Sequence, residues 1–153
     1  MNLLLKGRNY LRLLEKKLKR SQSELNSINK QIALVSEKIE SISTRLDTLD
    51  IQAGLFDQNM EFTREDFFDN RRQKTIVLTE ISLLKYQIET LDGDLQQLKH
   101  NRNISVRRVM DFNIKCEKFQ KYLTGLRYNR SLKSETSREN EVEELSVHGG
   151  IRI

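Results

Sequence analysis

The chain has 153 residues, of which 32% are charged, and it contains no Pro and no Trp. This length allows one domain, the lack of Pro leaves long helices unbroken, and the high charge disfavours a globule with an enclosed enzyme pocket. The formal net charge of +5 is distributed unevenly along the chain, which favours an acidic partner.

The first predicted element is a long helix over residues 3–55. Apolar residues recur there in alternating three- and four-residue steps from Leu4 to Phe56, and we call this row the first seam. A seam sustained over so many turns is typical of a coiled coil rather than of an ordinary amphipathic helix.

A turn over residues 56–63 is expected next, followed by a second helix over residues 64–128. Thr63 has the hydroxyl of an N-cap, and Asp66 supplies the carboxylate of a shortened capping box. Phe62 and Phe67 have the spacing of a hydrophobic staple across this helix start. A second seam begins at Phe67 and continues to Leu126.

The two seams predict an all-α fold, a long two-helix antiparallel coiled-coil hairpin over residues 1–130. One constant register pairs every position of the first seam with a position of the second when the hairpin is closed at the turn. The pairs that this register predicts include Phe56 with Phe67, Ala53 with Asn70, Leu49 with Lys74, Ser21 with Arg102, Leu18 with Ser105, and Gly7 with Cys116. Leu123 and Leu126 would then lie beyond Met1, without a partner on the first helix.

The remaining residues, 131–153, are polar and acid-rich and lack the seam. We therefore expect them to form a flexible C-terminal tail that is disordered when unbound.

Charge differs between the two ends of the predicted hairpin. Residues 1–20 carry a net +6 and residues 99–133 a net +8, whereas residues 37–70 carry a net −6. Folding back brings the two basic segments together, and their field would steer this end toward an acidic surface. The basic residues that we expect to bind the partner are Lys6, Arg8, Arg12, Lys16, Lys17, Lys115, Lys118, Lys121 and Arg127.

Apolar residues outside the seams suggest further contacts. Near the basic end these are Leu3, Tyr10 and Leu13 on the first helix and Val106, Met110 and Ile114 on the second. They could shield the seam or form part of a docking surface. Around the turn, the residues that we expect to bind another partner are Phe56, Met60 and Phe68.

Motifs for chemistry are missing from the sequence. Cys116 is the single cysteine and has a seam position, while His100 and His148 lack nearby ligand partners. We therefore expect no enzyme activity, no metal and no cofactor. There is no signal-peptide pattern and no apolar stretch long enough to cross a membrane, so a cytoplasmic protein without membrane insertion is expected.

One stretch resembles a known family. Thr63-Arg64-Glu65-Asp66-Phe67, followed by Arg71-Arg72-Gln73-Lys74 and Ile76-Val77, is similar to the start of the second helix in the InvI branch of the type III secretion stalk proteins. That group, SctO or YscO, is related to flagellar FliJ. A looser similarity continues through residues 117–122.

The resemblance implies a noncatalytic stalk with three kinds of partner. Its helical termini would enter a hexameric secretion ATPase, and its other end would face the export gate at the cytoplasmic side of the apparatus. Secretion chaperones are possible further partners. The basic residues would then contact the ATPase, and Phe56, Met60 and Phe68 the gate.

Two other interpretations remain open from the residues alone. The basic end could bind nucleic acid, although a known base-reading motif is missing, and a salt-dependent gel shift would favour this role. The chain could also be a structural dimerisation coiled coil, because two chains that exchange helices make the same contacts as a monomeric hairpin. The mass in solution would separate such a dimer from the monomeric hairpin.

Overall fold

The computed structural model describes residues 2–58 and 63–151, with side chains as far as Leu145. It contains two helices, α1 (Asn2–Leu55) and α2 (Arg64–Ile151), and no strand within those described ranges. The helices pack against each other in antiparallel directions, which confirms the all-α coiled-coil hairpin.

The start of α2 has the cap that the sequence predicts. The backbone N–H of Asp66 donates to Thr63 Oγ1 at 3.3 Å, and the N–H of Phe67 donates to the Thr63 carbonyl at 2.9 Å. These bonds satisfy donors that the first turn of a helix otherwise leaves free. Phe62, the other half of the expected staple, lies outside the described residues.

The far end of α2 differs from the expectation. The helix continues past Tyr128 to Ile151, and every side chain from Arg127 to Leu145 is exposed. Residues 131–145 contain no Gly or Pro and several good helix formers, so local propensity permits this extension. Its flexibility in solution stays a prediction.

Two compact units make up the structure, and each is described by itself. The turn unit comprises Glu24–Val106 and includes the end of α1 and the beginning of α2. The terminal unit comprises the residues up to Ser23 and those from Arg107 onward.

The core of the turn unit is centred on Leu49, which is only 1% exposed. Leu46 and Ile81 are buried with it, and the partly buried residues that pack against this cluster are Ile42, Ala53, Val77, Leu84 and Ile88. Burying a side chain of this size contributes about 1.5–3 kcal/mol. The predicted pairing of Leu49 with Lys74 is wrong, because Ile81, one heptad further along α2, packs there instead.

The terminal unit shows the same displacement. A Cβ added to Gly7 would lie 2.6 Å from Leu123 Cδ2 and 3.7 Å from Phe119 Cε1. Gly7 therefore faces Leu123 rather than Cys116, and Leu126 lines a groove together with Leu4. Both leucines thus lie beside residues of α1, whereas the predicted register left them without a partner there.

Side-chain volume explains the displaced register. A heptad pattern fits itself again after seven residues, so apolar spacing alone leaves several registers open. The predicted one would place Gly7 against Cys116, two small residues with a void between them. The observed one places Gly7 against Leu123 and puts Cys116 at the level of Leu14, so that a small residue faces a large one in each layer.

Polar residues are also buried in the seams. Ser21 and Ser105 are 4% and 5% exposed. The predicted layers of Ser21 with Arg102 and of Leu18 with Ser105 join residues of different units, and they stay predictions.

Asn70 and Lys74 hold the chain where it leaves α1. Asn70 Nδ2 donates to the Phe56 carbonyl at 3.4 Å, and the Lys74 ammonium pairs with the Asp57 carboxylate. A cation at this point also complements the negative end of the α1 dipole. These two residues therefore close the turn, whereas the predicted register placed them opposite Ala53 and Leu49.

Candidate functional site

The terminal unit carries the basic residues that the sequence predicts as partner contacts. All nine are exposed, five of them on α1 and four on α2. The structure therefore brings basic side chains from both ends of the sequence into one compact unit. Their role in binding stays a prediction.

Aromatic rings lie among these charges on one side of the unit. The rings of Tyr10 and Phe119 meet edge to face with centroids 4.9 Å apart, and Phe119 lies 5.6 Å from Tyr122. Phe119 is half-buried, whereas Tyr10 and Tyr122 are about half exposed. Gly7 makes room for this cluster, because its missing side chain lets Leu123 and the edge of Phe119 come close.

Residues seven apart in a coiled coil lie on the same side of a helix. Leu3 and Lys17 therefore share a side with Tyr10 on α1, and Lys115 shares one with Tyr122 on α2. We call these five residues the tyrosine face. Leu3 and Tyr10 could be predicted from the sequence, but Tyr122 could not. It is related to Tyr10 only through the ring contacts that both make with Phe119, and these depend on the displaced register.

The other side of the seam in this unit has a different composition. Arg8 and Glu15 lie there on α1, and Gln120 and Arg127 lie there on α2, at the remaining positions that flank the seam. We call these four residues the arginine face. Charge is mixed among these four residues, which include one amide, Gln120, and no aromatic ring.

Cys116 lies in the seam of the terminal unit and is buried. Burial raises the pKa of its thiol, and the nearby Glu15 carboxylate raises that pKa further. The thiol therefore stays protonated at neutral pH and is a poor nucleophile. This agrees with the seam position that the sequence predicts for it.

A second group of aromatic residues lies at the start of α2 in the turn unit. The rings of Phe67 and Phe68 are 5.9 Å apart, and both side chains are nearly half exposed. The Arg71 guanidinium lies 5.2 Å from the Phe67 ring, and that of Arg64 lies 6.0 Å from the Phe68 ring, within reach of cation–π attraction.

Phe67 is the residue that sequence analysis misplaced in this group. It was expected in the seam against Phe56, but the displaced register leaves it exposed, while Phe56 is half-buried. Met60, the third residue expected to bind at the turn, lies outside the described residues.

Residues 2–58 and 63–151 contain no cluster of three or more His, Cys, Asp or Glu side chains that could hold a metal ion. Neither helix, over its described length, has a segment apolar enough to cross a membrane.

Comparison with known proteins identifies the family. A family model described as "Salmonella surface presentation of antigen gene type M protein" matches residues 5–146. The chain belongs to this family. SPAM proteins, as members of this family are called, are type III secretion proteins of the InvI or SctO group. The resemblance noted around Thr63 is therefore confirmed. Comparisons with curated proteins and with solved structures gave no match.

Membership makes this SPAM chain a structural protein of a type III secretion apparatus. The two-helix hairpin is consistent with a structural component of the apparatus. Its exposed basic and aromatic surfaces are the candidates for contacts with other components.

Proposed function

We propose that this SPAM protein is the noncatalytic central stalk of its secretion system. The terminal unit docks in the central opening of a hexameric secretion ATPase, and the turn unit meets the export gate. The protein acts in the cytoplasm, at the cytoplasmic side of the apparatus, as a single hairpin that links ATP hydrolysis to export.

The observation that carries the ATPase contact is the exposure of nine basic side chains on two packed helices. Exposed like charges repel one another, and ordinary surfaces intersperse them with acidic groups. A set of basic groups gathered on one unit therefore fits an acidic ring, which attracts it and speeds its association.

The gate contact is proposed for the turn aromatics. Phe68 is nearly half exposed, and Phe67 beside it extends the apolar surface, so the pair could fill a partner's pocket. Phe56 and Met60 complete the set that the sequence predicts. Secretion chaperones are proposed as further partners through the family alone.

Charge reversal at Lys16, Lys17, Lys118 and Lys121 tests the ATPase contact. All four side chains are exposed, so the four changes to Glu should leave the helical circular dichroism signal intact. We expect loss of binding to the purified ATPase and loss of any stimulation of ATP hydrolysis. Binding and stimulation equal to those of the wild type would refute the docking.

A further inference from the structure

We infer that the terminal unit is two-sided: it binds its acidic partner through the tyrosine face, and the arginine face contributes only long-range attraction. The partner surface is a protein surface that presents carboxylates beside apolar groups. This inference rests on the proposed docking in the ATPase, and it adds which side of the unit makes the contact.

The first argument is the state of the aromatic rings. Tyr10 and Tyr122 are 48% and 50% exposed, yet each is held by a ring contact with Phe119. A ring fixed in place loses little conformational entropy when a partner covers it. Its exposed part remains available for apolar contact, and its hydroxyl can donate to a carboxylate.

The second argument is charge complementarity. Lys17 and Lys115 lie seven residues from the two tyrosines on the same side, and Lys6 and Lys118 lie at the adjoining positions of the two helices. Lys115 is itself held near the seam, with Nζ 5.6 Å from the centre of the Phe112 ring. Ammonium groups around rigid tyrosines match a partner that combines carboxylates with apolar side chains.

Exposed apolar side chains extend the same surface. Leu3 is 60% exposed and Leu13 is 48% exposed, next to Tyr10 on α1. Apolar and aromatic side chains at the centre of a surface, with charges around them, have the arrangement of an interface whose binding energy is concentrated in a few residues.

The four residues that define the arginine face include neither a ring nor an apolar side chain. Glu15 lies seven residues after Arg8 on the same side of α1 and reduces the local positive charge. On α2, Gln120 takes the position that corresponds to a ring on the tyrosine face. Its arginines still add to the overall field, which acts at long range and is screened by salt.

Two matched charge-reversal variants separate the faces. The first changes Lys17, Lys115 and Lys118 to Glu. The second changes Arg8 and Arg127 to Glu together with Arg12, which lies at the position adjoining the arginine face on α1. Each replaces three exposed cations, so both lower the net charge equally. The dissociation constant for the purified ATPase hexamer is measured by fluorescence anisotropy of the labelled full chain at two salt concentrations.

We expect the tyrosine-face variant to weaken binding at least about 30-fold and the arginine-face variant about threefold, with the smaller effect fading at higher salt. Equal losses in the two variants would overturn the two-sided surface and leave the proposed docking standing. Wild-type affinity in both would overturn the docking itself.

A second pair of variants keeps the charge constant. Tyr10→Ala with Tyr122→Ala should weaken binding at least about tenfold, because rigid tyrosines are typical binding hot spots. Tyr10→Phe with Tyr122→Phe retains the rings and should lose only the part due to the hydroxyls. Circular dichroism shows whether each variant is folded. Wild-type affinity in the folded alanine variant would overturn the inference, as would preferential binding of the wild type to duplex DNA over the ATPase.

Discussion

The pairing of Gly7 with Leu123 gives the sharpest test of the register. Leu123 is 3% exposed, so Leu123→Ala should lower the free energy of unfolding by about 3 kcal/mol, within the range for buried leucines. Gly7→Leu adds a side chain where even a Cβ would lie 2.6 Å from Leu123. Crowding of this kind costs about 1–3 kcal/mol, offset by about 0.8 kcal/mol of helix propensity.

The double variant, Gly7→Leu with Leu123→Ala, should recover most of the lost stability. The new leucine fills the space that the old one leaves, so we expect a free energy of unfolding within about 1 kcal/mol of the wild type and a coupling energy of at least about 2 kcal/mol. Urea unfolding followed by circular dichroism at the helical minimum measures each free energy.

A control cycle combines Gly7→Leu with Cys116→Ala. In the observed register Cys116 lies one heptad away from Leu123, the residue that faces Gly7. The effects of the two changes on the free energy of unfolding should therefore add within about 0.5 kcal/mol. Coupling between Gly7 and Cys116, together with additivity between Gly7 and Leu123, would refute the register and restore the one that apolar spacing predicts.

Three further changes test the packing and the thiol. Gly93→Ala should raise the free energy of unfolding by about 0.8–1 kcal/mol in urea, because nothing lies within 4 Å of its added Cβ; a loss of stability would contradict the open surroundings. Leu49→Ala should cost about 3 kcal/mol by the same assay, whereas Leu34→Ala, 58% exposed, should cost less than about 0.5 kcal/mol; equal costs would count against the core. Cys116 should react with a thiol reagent at least about tenfold faster in urea than in the folded protein, and equal rates would contradict its burial. Because folding raises the pKa of this thiol, its contribution to stability is complete below the thiol's unfolded pKa and is lost as the pH rises through the alkaline range.

Much of the fold could be predicted because helix, turn and cap signals are local. The seam spacing and the absence of Pro indicated two long helices, and Thr63 indicated the start of the second. The register is a property of two surfaces in contact. It depends on how the missing side chain of Gly7 accommodates Leu123, and apolar spacing gives no weight to that fit.

The candidate site shows the same division between local and tertiary information. Charge could be counted along the chain, so the basic residues of the terminal unit were found from the sequence. The tyrosine face could not be assembled, since Tyr10 and Tyr122 are related only through Phe119. Comparing the sizes of facing seam residues, above all small against large, is the signal that would have revealed it.

The exposed position of Phe67 follows from the same displacement. In the predicted register Phe56 would cover it, but one heptad of displacement leaves the first turns of α2 without α1 beside them. A residue expected to stabilise the seam thereby becomes, with Phe68, part of the surface proposed to meet the gate.

Native mass spectrometry of the ATPase complex tests the stalk most directly. The purified full chain is mixed with the assembled secretion ATPase, and the mass of the complex gives the number of SPAM chains for each hexamer. A stalk in the central opening predicts one chain for six ATPase subunits, and the charge-reversal variant of the tyrosine face should weaken that peak. Six chains for each hexamer, or an ATPase hexamer that stays free of the wild-type chain, would contradict the account.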